Sequence, residues 1–144
     1  MENVITIYTD GACSGNPGKG GWAAIIIEGN NEKIISGSEL MTTNNRMELI
    51  AVIKALQPLQ SQKINIFTDS KYVKDGIESW IKNWKKNGWI TAAKQPVKNK
   101  DLWMELDDLV KDKNIDWQWV KGHSTNKYNN LVDEEARKAI NSSS

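Results

Sequence analysis

The clearest pattern in the chain is a short alternation of β-branched or aromatic residues with polar ones. It occurs twice and ends both times in Thr-Asp: Ile5-Thr6-Ile7-Tyr8-Thr9-Asp10 and Ile64-Asn65-Ile66-Phe67-Thr68-Asp69. Period-two alternation predicts strands, here over residues 3–9 and 63–68. Between them, Trp22 to Ile27 and Lys33 to Met41 read as two further strands joined by a hairpin turn at Gly29-Asn30-Asn31. The glycine-rich stretch from Gly11 to Gly21 reads as a turn. Thr43-Asn44-Asn45 opens a helix to about Gln57, where Pro58 stops it. Helical segments are expected over roughly 70–87, broken near Gly76 and Gly88, followed by a loop through Pro96. Asp101 reads as the N-cap of a helix to about Lys111. A last strand, Ile115 to Val120, precedes a helix from about Asn126 to Ile140. Hairpin-linked strands followed by alternating helices and strands predict an α/β domain, a mixed sheet with helices packed on it. No linker divides residues 1–144, so one domain is expected.

The two Thr-Asp endings carry the chemistry. If their strands lie parallel and adjacent, Asp10 and Asp69 emerge together at the carboxyl edge, where open α/β sheets bind ligands. Carboxylates held close repel, and such pairs share a proton or bind cations. Either Asp alone is as easily a turn initiator; the repetition favours function. Glu48 is expected in the first turn of the helix before the second Thr-Asp strand, where Asn45-Arg46-Met47-Glu48 has capping-box spacing. It nevertheless shares a face with Ala51, Val52 and Ala55, so it is expected to point at packed structure. Asp133 has Ala136 and Ile140 on its face, and a surface ion pair with Arg137 is its ordinary alternative. His123, the only histidine, follows a strand beside Gly122 and is placed to carry protons near neutral pH. A phosphate-loop reading of Gly11–Gly21 fails, because Gly18-Lys19 is followed by Gly20 and leads into a strand.

Composition adds two constraints. The net charge is only +1, yet residues 71–100 carry eight lysines against Asp75 and Glu78, leaving the remainder net acidic. Tyr72, Trp80, Trp84 and Trp89 are interleaved there, so a basic face beside an acidic pocket suggests a polyanion at one place and metal at another. Trp80 and Trp84 share a helix face, so Lys82, Lys85 and Lys86 are left to point to solvent or phosphate. Asp107, Asp108 and Asp112 read as a solvated face. The single cysteine, Cys13, excludes an internal disulfide and fits a reducing compartment. With no signal pattern and no apolar run of spanning length, a cytoplasmic protein away from the membrane is expected.

The chain resembles the bacterial type 1 ribonucleases H over essentially its whole length. The matching pieces are Thr9-Asp10-Gly11-Ala12-Cys13 with Gly15-Asn16-Pro17-Gly18, then Thr42-Thr43-Asn44-Asn45-Arg46-Met47-Glu48 and Thr68-Asp69-Ser70 with Tyr72-Val73. Trp84-Lys85-Lys86 with Gly88-Trp89, Pro96-Val97-Lys98-Asn99 with Asp101-Leu102-Trp103, Trp119-Val120-Lys121-Gly122-His123, Asn129 and Asp133 complete them. The resemblance implies a five-stranded mixed sheet, three antiparallel hairpin-linked strands plus two parallel ones. It also implies endonucleolytic hydrolysis of the RNA strand of RNA–DNA hybrids by two Mg²⁺ ions, with Mn²⁺ as a substitute, leaving 5′-phosphate and 3′-hydroxyl ends. The family's catalytic, metal-binding carboxylates map onto Asp10, Glu48, Asp69 and Asp133, and its mobile histidine onto His123. Substrate-contacting positions map onto Cys13, Asn16, Thr43, Asn44, Asn45 and Asn99, and the basic protrusion onto the segment with Lys85 and Lys86. A monomer acting as a catalytic domain alone, with no separate hybrid-binding domain, is expected. Lys19 and Met41 depart from residues common in relatives, and Met41 is expected to weaken contact with DNA phosphates. Two rivals keep the same shape: a non-catalytic duplex-binding module, which would ordinarily lack one carboxylate, and another nuclease or strand-transfer enzyme on the same architecture.

Overall fold

The computed structural model describes residues 4–15, 17–59, 63–111, 113–120 and 127–142. Strands β1 (Val4–Gly15), β2 (Gly18–Glu28) and β3 (Asn31–Thr42) form an antiparallel meander. β4 (Lys63–Thr68) lies parallel to β1, and β5 (Asn114–Trp119) parallel to β4, giving the order β3-β2-β1-β4-β5. This is the mixed five-stranded sheet that the resemblance implies. The glycine-rich segment departs from the expected turn: it is sheet on both sides, paired from Gly11↔Trp22 to Gly15↔Gly18. Its glycines serve close packing. A Cβ on Gly21 would stand 2.3 Å from the Ala136 carbonyl oxygen of the last helix.

One face of the sheet is covered by α1 (Asn44–Leu56) and α4 (Lys100–Val110). There Ile5, Ile7, Ile64 and Ile66 pack with Leu49, Val52, Leu56, Trp103 and Leu106. Each such side chain removed from water contributes about 1.5–3 kcal/mol. α5 (Lys127–Ser142) covers the other face, where Val132 and Ala136 meet Tyr8, Ala23 and Ile25. Among the described residues no helix is long and apolar enough to cross a membrane.

Helix starts differ from the sequence expectation for local reasons. Thr43 caps α1, its Oγ1 accepting from the Arg46 N–H at 3.2 Å. The capping box at Asn45–Glu48 therefore does not form, and Glu48 falls in the second turn facing inward. α4 follows Asn99, which is left-handed at φ 60°, so Asp101 is not its cap. Asp101 instead sits in the first turn and pairs with Arg46 at 2.9 Å.

The expected break near Gly76 is also absent. α2 (Lys71–Asp75), a π-helical turn (Gly76–Trp80) and α3 (Ile81–Lys86) run on without interruption. Gly76 is needed there because any Cβ would lie 2.0 Å from Cη2 of Trp103. Trp119 Nε1–H donates to Glu78 Oε1 at 2.8 Å and ties the π turn to β5. The second break is real: the chain leaves α3 through Gly88 at φ 70°. Tyr72, Trp80, Trp84 and Trp103 then stack edge-on or tilted at centroid distances of 5.3–5.7 Å, packing the root of the basic segment.

Candidate active site

Parallel pairing puts Tyr8 opposite Phe67. Two residues further along each chain, Asp10 and Asp69 leave that pairing together, Asp10 still held by β2 and Asp69 just past the end of β4. Glu48 arrives from α1, which approaches β1 closely because residue 11 is glycine. A Cβ on Gly11 would stand 2.5 Å from the Glu48 backbone nitrogen. The Gly11 N–H donates to Glu48 Oε1. Carboxylate oxygens of Asp10, Glu48 and Asp69 all lie within 4.8 Å of one another. Asp10 and Glu48 are buried at 7% and 4% exposure, and Asp69 is partly exposed. Asp133, on α5, reaches the same place and hydrogen-bonds with Asp10, while its Oδ2 also pairs with Arg137 at 3.0 Å. The ion pair that was its ordinary alternative is therefore formed, and the same side chain borders the cleft.

These groups share a cleft of about 450 Å³ with Asn44, Asn45 and Tyr72. Ser70, Lys71, Asn129 and Asn130 also line it, and sequence reasoning gave none of them a role in the site. Ser70 follows Asp69 and caps α2, its Oγ accepting from the Val73 N–H at 3.2 Å, and its hydroxyl hydrogen-bonds Glu48. The serine after a strand-end Asp was the available signal. Asn130 stands one helical turn before Asp133, a spacing that puts both on one face.

Burial, and then the charge of Glu48, holds the Asp10 carboxyl far above the usual carboxylate range. Burial raises Glu48 as well, against the opposing hydrogen bond to Asp10, with Asp69 adding to the rise. Without a cation, two carboxyls so close and so dry retain a proton that either alone would lose in water. An all-oxygen donor set of this density suits a hard divalent cation.

The remaining predicted residues surround the cleft at varying distance. The Cys13 Sγ faces the carbonyls of Thr42 and Gly18 at 3.4 and 3.6 Å. Thr43 sits at the α1 terminus with its hydroxyl engaged as the cap. Asn99 Oδ1 accepts from Arg46 at 3.2 Å, and its Nδ2 donates to the Tyr72 hydroxyl at 3.0 Å. Lys86 is exposed on α3. Lys85 lies 3.4 Å from Asp107, whose side chain is only 16% exposed, so Asp107 is not the solvated acid expected and Lys85 is partly neutralised. Asn16 and His123 lie outside the described residues.

A family model described as RNase H matches residues 2–141. Proteins named Ribonuclease H from Francisella philomiragia and Francisella tularensis subsp. novicida are 59% identical over 140 residues, covering 96% of this chain and 92% of theirs. Among solved structures, LC9-RNase H1, a type 1 RNase H with the type 2 active-site motif, is similar at TM-score 0.87 and 28% identity. That likeness covers 98% of this chain and 74% of the other. LC11-RNase H1 in complex with RNA/DNA hybrid is similar in fold at TM-score 0.68 and 22% identity, over 94% of this chain and 99% of that one.

Proposed function

The chain belongs to the ribonuclease H family, and from that membership we propose that it hydrolyses the RNA strand of RNA–DNA hybrids internally, using two Mg²⁺ ions. The observation that carries this reading is the group of Asp10, Glu48 and Asp69, the first two buried, with oxygens of all three carboxylates within 4.8 Å of one another. Clustered buried carboxylates are costly unless something positive is to be held there.

Asp10, Glu48, Asp69 and Asp133 would hold the ions. When bound, the metals neutralise charge on the attacking and leaving oxygens of the phosphodiester. The chain's own residues supply the rest. The Gly11 N–H and the Ser70 hydroxyl fix the Glu48 carboxylate by hydrogen bonding, which keeps the cluster pre-organised. Asn44 and Asn45, at the α1 start and in the cleft wall, supply amide groups to the hybrid's minor groove. RNA is selected there through its 2′-hydroxyls, because phosphate contacts alone do not separate RNA from DNA. Thr43, Asn99, Cys13 and Asn16 hold the flanking backbone, and Lys86, with Lys85 behind it, meets phosphates on the basic side. His123 moves protons as water attacks phosphorus and the bond to O3′ breaks, leaving 5′-phosphate and 3′-hydroxyl ends. A monomer suffices for this arrangement.

The test is incubation of strand-labelled RNA–DNA hybrid, duplex RNA and duplex DNA with Mg²⁺ or EDTA. Internal cleavage of the RNA strand of the hybrid alone, dependent on Mg²⁺, is expected. Binding of the hybrid without turnover would establish the non-catalytic rival, and cleavage of duplex DNA would establish the other nuclease.

A further inference from the structure

The cleft does not close at Asp133. On its outer side a second polar hollow of about 620 Å³ runs along α5 past Glu134, Arg137 and Lys138, and Asn130 and Asp133 line both hollows. At this shared wall the Asp133 carboxylate is drawn two ways. On the inner side it lines the cleft together with Asp10, and on the outer side its Oδ2 lies 3.0 Å from Arg137 Nη2. The two side chains are 50% and 65% exposed, so electrostatics and hydrogen bonding decide their placement more than packing does. The tight carboxylate group comprises Asp10, Glu48 and Asp69 without Asp133. Lys138 carries the same charge one residue on, but its Nζ lies 3.5 Å from Glu134 and 3.6 Å from Glu135. Adjacent cations on one helix thus have different partners.

Resting on the metal reading above, we infer that Arg137 is a positioning residue for Asp133: a resident counter-ion that holds the fourth carboxylate at the rim and competes with Mg²⁺ for it. The site then binds Mg²⁺ more weakly than four free carboxylates would. Two effects act in the same direction. The guanidinium occupies lone pairs on Oδ2 that a cation would use, and its full charge repels an incoming cation. One effect opposes them, since an unpaired Asp133 is less well oriented. Only the two torsions of a short side chain are involved, so this entropy is the smaller contribution.

The test is calorimetric titration of Mg²⁺ into the full chain without substrate, together with the Mg²⁺ dependence of turnover. Removing a unit charge from side chains this exposed, where screening approaches that of water, should tighten the Kd of Arg137→Ala by roughly three- to tenfold. The Mg²⁺ concentration for half-maximal turnover should fall in parallel. Arg137→Lys keeps the charge at the same helical spacing, and Lys138→Ala removes one already engaged elsewhere. Both should stay within about twofold of the unaltered chain. Position 137 is exposed and alanine favours helix, so the variant should fold, which a circular dichroism melt verifies. An Arg137→Ala protein that binds Mg²⁺ no more tightly, or Arg137→Lys behaving like Arg137→Ala, overturns the inference. If the unaltered chain takes up no Mg²⁺, the metal reading falls and this one with it.

Discussion

The charged side chains divide into those that sit where they are despite electrostatics and those that sit there because of it. Asp10 and Glu48 belong to the first kind. Their raised pKa values mean that, above about pH 4, the folded chain without metal holds more protons than the unfolded chain. The contribution of this pair to stability is therefore greatest below the unfolded carboxylate pKa and is lost as pH rises through the raised folded values. In EDTA the Tm should fall between about pH 5 and pH 8, and Mg²⁺ should restore it. Asp10→Asn should abolish cleavage, keep or raise the EDTA Tm at pH 8, and flatten its pH dependence. A pH-independent Tm for the unaltered chain, or substantial cleavage by Asp10→Asn, would refute the role given to this pair. The lysines are of the second kind. Lys86→Ala should raise KM and reduce the slope of log KM against log salt by about one unit, as one lost phosphate contact does. Lys85→Ala mainly breaks a half-exposed pair with Asp107, worth about 1 kcal/mol, and should move that slope little. Equal slopes for the two variants would show that the Asp107 pairing does not distinguish them. The carboxylates were legible in the sequence because two strands announce their own ends and a helix face betrays Glu48. The different standing of Lys85 and Lys86 was not, because it depends on a partner from another helix that no local pattern encodes.

At the level of elements, closeness between backbones positions the site. α1 can deliver Glu48 beside Asp10 only because β1 presents a glycine at residue 11, where a methyl group would meet the helix backbone at 2.5 Å. Backbone cannot swing aside as a flexible side chain does. Gly11→Ala should therefore cost about 1–3 kcal/mol in stability, read by urea denaturation. It should also lower kcat by far more than a distant mutation of equal cost, since displacements near 1 Å disrupt catalytic geometry. Normal activity in a stably folded Gly11→Ala protein would show that α1 has room to spare. Sequence reasoning took the glycines of 11–21 for a turn, because glycine most often marks a change of direction. Here they mark places where helices press on the sheet, which only the third dimension reveals. Hydrophobic spacing did give α1 and β4 within a residue or two, since each buries a continuous face, and it gave the start of β1 but not its continuation to Gly15.

The whole molecule combines a carboxylate cleft of near-fixed geometry with a basic extension, and the two should respond to different solution variables. Salt should act mainly on KM through the extension, and metal identity mainly on kcat through the cleft. Mg²⁺ and Mn²⁺ are expected to support turnover. Ca²⁺, which takes more ligands at about 2.3–2.6 Å against about 2.0–2.1 Å for Mg²⁺, should support binding of the hybrid but not its cleavage. Gel-shift and cleavage on the same labelled hybrid in each metal distinguish the two, and efficient cleavage in Ca²⁺ would show that cation size is not decisive. The overall topology was readable because the hairpins and the parallel crossovers leave few ways to join five strands. The resemblance implied a five-stranded sheet of three antiparallel hairpin-linked strands and two parallel ones, and that is the sheet observed.

The π turn between α2 and α3 has a consequence of phase. A π turn closes through i→i+5 bonds where an α-helix closes through i→i+4, so it takes up one extra residue while the helix beyond keeps its direction. The turn at Gly76–Trp80 lies between the cleft, which ends at Tyr72, and the helix that carries Lys82, Lys85 and Lys86. A chain shortened by the exposed Ser79 would keep its sheet and all four carboxylates. Its turn would close as ordinary α-helix and its lysines would keep their bearing, a hinge pin withdrawn without the door changing its angle.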